Sequence, residues 1–154
     1  MNDFLWDRLS SLLEAWDGSM LLRFAGLANA SSLLFCELED VNWVGFYLTD
    51  EFNRSLVVGP FQGNVACIRI PFGRGVCGTA AERKEPVVVP DVRCFPGHIA
   101  CDTASRSEIV VPLVKDGAVV GVLDCDSASL GRFAETEKDL LSRCADVVVE
   151  KLFS

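Results

Sequence analysis

The feature that most restricts how this chain can fold is the apolar run Ile109-Val110-Val111-Pro112-Leu113-Val114, followed by Lys115-Asp116-Gly117 and a second apolar run over residues 118–124. Short continuous β-branched runs bounded by turn residues read as buried strands. An Asp-Gly pair between two of them favours a tight turn with positive backbone φ, which joins adjacent antiparallel strands. The C-terminal half is thereby committed to an antiparallel sheet.

Further strands precede it. Asn42-Trp43-Val44-Gly45-Phe46-Tyr47-Leu48 is aromatic and β-branched and predicts a first strand. Residues 50–53 turn the chain, Leu56-Val57-Val58-Gly59-Pro60-Phe61 returns, and Gly63-Asn64 turns it again into Val65-Ala66-Cys67-Ile68-Arg69-Ile70. Three such strands form a meander. Pro71-Phe72-Gly73-Arg74-Gly75 is a glycine-rich loop before a short helix over residues 76–83, and without a following Lys-Ser/Thr pair it does not match a phosphate-binding loop. Val87-Val88-Val89 is a short strand, and residues 91–106 form a long aperiodic connection of the kind that is usually either functional or disordered.

Helical periodicity closes both ends. Leu5, Leu9, Leu12, Leu13 and Trp16 recur at helical spacing over residues 4–16, and Asp17-Gly18-Ser19 breaks that helix and can cap a second one over about residues 19–37. A last helix opening at residues 132–135 sets Leu140, Leu141, Cys144, Val147 and Val148 on one face. The expected fold is a single α+β domain over residues 1–154. It has a roughly six-stranded antiparallel sheet, the N- and C-terminal helices on one face and the long loop on the other.

Charge narrows the partners. With 14 basic and 22 acidic residues the net charge is −8, and no basic stripe exists to neutralise a nucleic-acid backbone. The N-terminus, Met1-Asn2-Asp3-Phe4-Leu5-Trp6-Asp7, carries acids where a signal peptide needs a basic segment. No apolar run is long enough to span a bilayer. A soluble cytoplasmic protein with neither nucleic acid nor membrane as partner is expected.

The 7 cysteines are odd in number and contain no Cys-x-x-Cys, so in a reducing compartment they read as thiols to be assigned one by one. Residues 97–108 gather Cys101, the only histidine (His98) and the carboxylates Asp102 and Glu108 into an aperiodic segment that feeds directly into sheet. A loop that feeds directly into rigid sheet is a common place to hold chemistry, and Cys101 is the first candidate nucleophile. Cys77, beside Gly78 at a predicted helix start, sits at the end that lowers a thiol pKa. Cys67, in mid-strand, reads more readily as a small core hydrophobe than as a functional thiol. Cys36 and Cys144 fall on helix faces and read as core, whereas Cys94 shares the long loop with Cys101. Asp124 and Asp126 alternate onto one face of a strand with Cys125 on the other. They are either a solvated strand end or one wall of a pocket. His98 favours a Cys101 thiolate if its segment is helical, or else caps a turn. Four cysteines and His98 between residues 67 and 101 include no cysteine pair two to four residues apart, so they fit no common structural zinc site.

Taken together, Asn42-Trp43-Val44-Gly45-Phe46-Tyr47, Arg74-Gly75-Val76-Cys77-Gly78, Gly97-His98-Ile99-Ala100-Cys101-Asp102, Ser107-Glu108-Ile109-Val110-Val111-Pro112-Leu113 and Gly121-Val122-Leu123-Asp124-Cys125-Asp126-Ser127 resemble the free methionine-(R)-sulfoxide reductases. That family is built on a GAF domain, and the resemblance covers essentially the whole chain. It implies that Cys101 attacks the sulfoxide and becomes a sulfenic acid, and that Cys67 resolves it as a disulfide, with Cys77 a third cysteine able to join the relay. Cys94, in the same loop as Cys101, competes for the resolving role. Glu108, Asp124 and Asp126 are the matching carboxylates. Crowding raises the pKa of one so that it can donate a proton to the sulfoxide oxygen, while the others hold the substrate ammonium. Trp43 and Tyr47 would pack on the substrate methyl group. The resemblance further implies no bound cofactor or metal, electrons from thioredoxin and NADPH, and a homodimer through the terminal helices. Two other functions compete: a stand-alone GAF sensor of a small ligand, and a redox sensor whose disulfide is the signal. A ligand sensor would normally be fused to an output module and has no need of Cys67, Cys77 and Cys101 together.

Overall fold

The computed structural model describes residues 4–154, so Met1, Asn2 and Asp3 of the acidic N-terminal run lie outside the described residues. Two helices open the fold, α1 (Leu5–Leu12) and α2 (Met20–Glu37). Helix α1 is shorter than its periodicity predicts. Trp16 is drawn off the helix because its backbone N–H donates to the Lys151 carbonyl at 2.8 Å and its indole to the Ser19 carbonyl at 2.8 Å. Ser19 caps α2, its hydroxyl accepting from the Leu21 N–H at 3.1 Å and the Leu22 N–H at 3.5 Å.

The strands are β1 (Trp43–Asp50), β2 (Ser55–Gly63), β3 (Arg69–Pro71), β4 (Val87–Val89), β5 (Ser107–Lys115) and β6 (Ala118–Ser127). They form one antiparallel sheet in the order β3-β2-β1-β6-β5-β4. Between them lie α3 (Gly75–Arg83) and a short 3-10 turn, Val92–Cys94, and α4 (Glu135–Leu152) closes the chain. Asp116 and Gly117 at the β5–β6 turn take φ of 50° and 80°, the primed geometry an Asp-Gly pair favours.

Two departures from the sequence reading matter for the site. The predicted third strand is reduced to Arg69–Pro71, with the Ile68 carbonyl still accepting from the Val58 N–H at 2.9 Å, and residues 65–67 leave the sheet, where Cys67 is tied by a disulfide to Cys101 in the long loop. Conversely, β5 begins earlier than its apolar run, so Ser107 and Glu108 belong to the sheet.

The two faces of the sheet bury different cores. Against α1, α2 and α4 pack Val44, Phe46, Ile109, Leu113, Leu123 and Cys125, with Leu27, Leu34, Leu141, Cys144 and Val148 from the helices. The opposite face carries Trp43, Tyr47, Ile70, Val110 and Val122 under α3 and the long loop. Cys144 is core as predicted; Cys36 is a correction, because its position on α2 turns outward and leaves the thiol exposed.

Gly45 sits between Trp43 and Tyr47 on the second face, where β1 is irregular in its pairing with β2. A Cβ there would overlap Phe61 Cβ and come within 2.9 Å of the Trp43 ring. Its absence lets Trp43 stack on Phe61 at 5.0 Å and on Tyr47 at 5.8 Å between ring centroids. Gly45→Ala is therefore expected to destabilise the protein by about 1–3 kcal/mol through overpacking, measured as a shift of the urea midpoint. A change below about 0.5 kcal/mol would show that this wall relaxes freely.

Candidate active site

On the face opposite the terminal helices, a narrow cavity of about 40 Å³ is lined by Trp43, Tyr47, Cys77, Cys101 and the three carboxyl residues Glu108, Asp124 and Asp126. Alternation along β6 sends Asp124 and Asp126 into it and Cys125 into the helical core. The register then adds the third acid: Glu108 lies directly opposite Asp126, and Val110 opposite Asp124. Like charges facing each other across a strand pair are unfavourable, and these are also buried, at 7%, 4% and 9% exposure for Glu108, Asp124 and Asp126. No Lys or Arg lines the cavity to neutralise them.

The carboxyl groups answer by holding protons. Burial pushes all three well above the ordinary carboxylate range, reinforced for Glu108 by Asp124, for Asp124 by Asp126 and for Asp126 by Glu108. Asp124 Oδ1 is left with no hydrogen-bond donor among the described residues, a buried acceptor facing a cavity. Tyr47 is likewise held neutral, its phenol pushed up by burial and then by Asp124.

Cys77 corrects the sequence reading of its reactivity. It lies in the first turn of α3, but burial, and after it the charge of Asp124, pushes the thiol well above its ordinary pKa. The helix end does not compensate, and Cys77 stays a thiol beside Asp124. His98 is in an irregular segment, so the helical route to a Cys101 thiolate is absent. Instead Nε2 stands 3.9 Å from Glu108 Oε1, and burial lowers its pKa, favouring the neutral imidazole.

Cys101 and Cys67 are joined in a disulfide with a Cα–Cα distance of 5.3 Å across 34 residues. Cys94 is exposed and unbonded, its Sγ 3.6 Å from Asp91 Oδ2. Asp102, gathered with Cys101 in the sequence, and three side chains given no role there, Asn42, Asn64 and Ser105, fix the disulfide's surroundings. Asp102 Oδ2 accepts from Asn42 Nδ2 and Asn64 Nδ2, both at 3.4 Å, and Asn42 Nδ2 also reaches Ser105 Oγ at 3.2 Å. Trp43 Nε1 donates to the Asn64 carbonyl at 3.1 Å. The clamp links the residue after Cys101 to the start of β1 and to the loop before Cys67. Its local signals were the turn-forming Gly63-Asn64 pair and the place of Asp102 beside Cys101. As for metals, Cys77 Sγ and one oxygen each of Glu108 and Asp124 lie within 4.8 Å of one another, a donor set able to hold a cation. It comes from α3, β5 and β6, so spacing along the chain could not reveal it.

The fold and the cavity define a class. The GAF domain model matches residues 8–151. Among curated relatives, the free methionine-R-sulfoxide reductase of Escherichia coli is 55% identical over 114 residues, covering 74% of this chain and 68% of its own length. The enzyme of the same name from Saccharomyces cerevisiae is 48% identical over 149 residues, covering 91% of this chain and 83% of its own. The X-ray structure of free methionine-R-sulfoxide reductase from Neisseria meningitidis, in complex with its substrate, superposes with a TM-score of 0.88 at 44% identity, covering 97% of this chain and 86% of that one. The chain belongs to the free methionine-(R)-sulfoxide reductases, a family of GAF-domain oxidoreductases.

The raised carboxyl pKa values have a consequence for stability. A carboxyl group whose pKa is higher in the folded state contributes most below the ordinary carboxylate range, and that contribution is lost as pH climbs through the raised value. The substrate-free protein should therefore lose stability as pH rises from about 5 to about 8. Asp126→Asn should flatten this dependence and be the more stable protein at pH 8, read from urea midpoints across pH. Parallel curves for the two proteins would remove Asp126 from the coupled cluster.

Proposed function

We propose that this protein reduces free L-methionine-(R)-sulfoxide to methionine through a Cys101 sulfenic acid and the Cys67–Cys101 disulfide, recycled by thioredoxin at the expense of NADPH. The observation that carries this reading is the disulfide at a cavity whose acidic wall is three buried carboxyl groups without a cationic side chain. Such a wall favours a ligand that brings its own positive charge, and the ammonium of a free amino acid does so.

In the reduced protein the Cys101 sulfur attacks the sulfoxide sulfur while a protonated carboxyl group donates to the sulfoxide oxygen. Glu108, Asp124 and Asp126 supply that proton and, once ionised by the incoming ammonium, hold the amine. The oxygen passes to Cys101 as a sulfenic acid and methionine leaves. The Cys67 thiol then displaces water to form the disulfide, and two electrons from thioredoxin reopen it. Trp43 and Tyr47 offer an aromatic face to the substrate methyl group. Cys77 joins the relay only if its proton is taken, which its neighbouring carboxyl groups oppose; its thiol, packed beside Asp124, suits it to holding that carboxyl in place. The reaction needs no bound cofactor.

Thioredoxin and NADPH place the protein in a reducing compartment, the cytoplasm; none of the described helices is long and apolar enough to cross a membrane. A homodimer through the terminal helices is supported by the exposed Met20, Leu21 and Phe24 of α2.

The test is methionine release from each epimer of free methionine sulfoxide with thioredoxin, its reductase and NADPH. Turnover of the R form alone is expected. Cys101→Ser should abolish it, and Cys67→Ser should yield about one methionine per site and then stall. Sustained multiple turnover by Cys101→Ser would contradict the mechanism.

A further inference from the structure

The disulfide joins two stretches of unusual character. Residues 55–68 and 94–101 contain no Asp, Glu, Lys or Arg, in a chain with 14 basic and 22 acidic residues. Within the first stretch, Val65 and Ile68 stand 86% and 72% exposed on either side of Cys67. Neither joins either hydrophobic core, whereas Ala66 and Cys67 between them do. Two aliphatic side chains are thus held out in solvent beside a redox sulfur, Val65 at the cavity rim and Ile68 outside the cavity altogether.

The two sulfurs are also unequal. Cys101 lines the substrate cavity and Cys67 does not, although both are half-buried. A thiol carried by another protein must reach the bond from outside. On that side lie Cys67, the exposed Ile68 and the exposed Val65 at the cavity rim.

We propose that the surface formed by Val65, Cys67 and Ile68 is the docking site of a dithiol reductant protein, and that the reductant attacks Cys67. This rests on the reading above that the disulfide is a turnover intermediate. The partner's thiolate forms a bond to Cys67 Sγ as the Cys67–Cys101 bond breaks, and the electron pair leaves on Cys101 Sγ as a thiolate. The partner's second thiol then attacks its own sulfur in the mixed disulfide. Cys67 is released reduced, and the partner departs with its two cysteines oxidised. The nucleophile is therefore regenerated in the first step, while the partner is still attached.

Two experiments test this with thioredoxin as the probe. In the first, Ile68→Asp, a position outside the cavity, should raise the KM for thioredoxin about tenfold. Methionine release driven by dithiothreitol should be unchanged, and Ile68→Ser should give a smaller rise. In the second, thioredoxin with its second active-site cysteine changed to serine should be trapped on Cys67, identified by mass spectrometry of the linked peptide. An unchanged thioredoxin KM in Ile68→Asp, a cross-link to Cys101, or no cross-link although dithiothreitol supports turnover would each overturn the proposal. A change only in self-association on Ile68→Asp would overturn it too, assigning the patch to a second copy of the chain. Failure of dithiothreitol to support any methionine release from the unaltered protein would instead overturn the catalytic reading beneath it.

Discussion

Three carboxyl groups buried together on one face of a strand pair are the constraint to which the rest of this structure answers. Glu108 faces Asp126 across the β5–β6 ladder, and Asp124 follows two residues before Asp126 on the same face. Left in water these groups would ionise freely; buried together without a cationic side chain they cannot all do so. The fold sustains the arrangement because the other face of the same strands is anchored by Ile109, Leu113, Leu123 and Cys125 against the terminal helices. Burial on that side holds the register, and the register holds the carboxyl groups against one another. Stability is given up at one face of the sheet and recovered at the other.

The same constraint explains the role of the long loop. A cluster of protonated carboxyl groups is useful only where a reacting sulfur can be brought beside it, and the loop carrying Cys101 does this. It is held by backbone bonds from Val92 N–H to the Arg106 carbonyl at 2.9 Å and from Arg106 N–H to the Ser127 carbonyl at 2.7 Å, and by Asp102 bridging Asn42 and Asn64. The bond to Cys67 joins it to a second segment, which lies outside the sheet. The two sulfurs thereby span the boundary between an acidic interior and an uncharged, aliphatic exterior. That is the arrangement required of a bond made from inside and reopened from outside.

Much of this could be read from local pattern. The Asp116-Gly117 turn, the helices at both ends and the shared face of Asp124 and Asp126 follow from turn chemistry and from periodicities of two and 3.6. What could not be read depends on contacts between distant residues. Glu108 looked like part of an irregular loop because Ser107-Glu108 has no apolar signal, yet pairing with β6 makes it strand. Cys67 looked like mid-strand because the apolar pattern runs through it, yet it lies outside the sheet, bonded to a residue 34 positions away. Cys77 looked reactive from its place at a helix start, but the acids that suppress its ionisation come from β5 and β6. Cys36 has the spacing of a core residue, but its side of α2 has no layer above it. The family resemblance supplied the pairing of Cys67 with Cys101, which spacing alone does not.

The central claim is that the buried carboxyl groups select a substrate by its free ammonium, and substrate charge tests this most directly. The measurement is kcat/KM for free L-methionine-(R)-sulfoxide beside N-acetyl-L-methionine-(R)-sulfoxide, with dithiothreitol as reductant so that the docking of another protein plays no part. A site that neutralises its acids with the substrate amine should lose about 100-fold or more on acetylation, the scale expected when buried polar groups are left unpaired. Equal kcat/KM for the two compounds would contradict the account, leaving the three carboxyl groups without the role assigned to them.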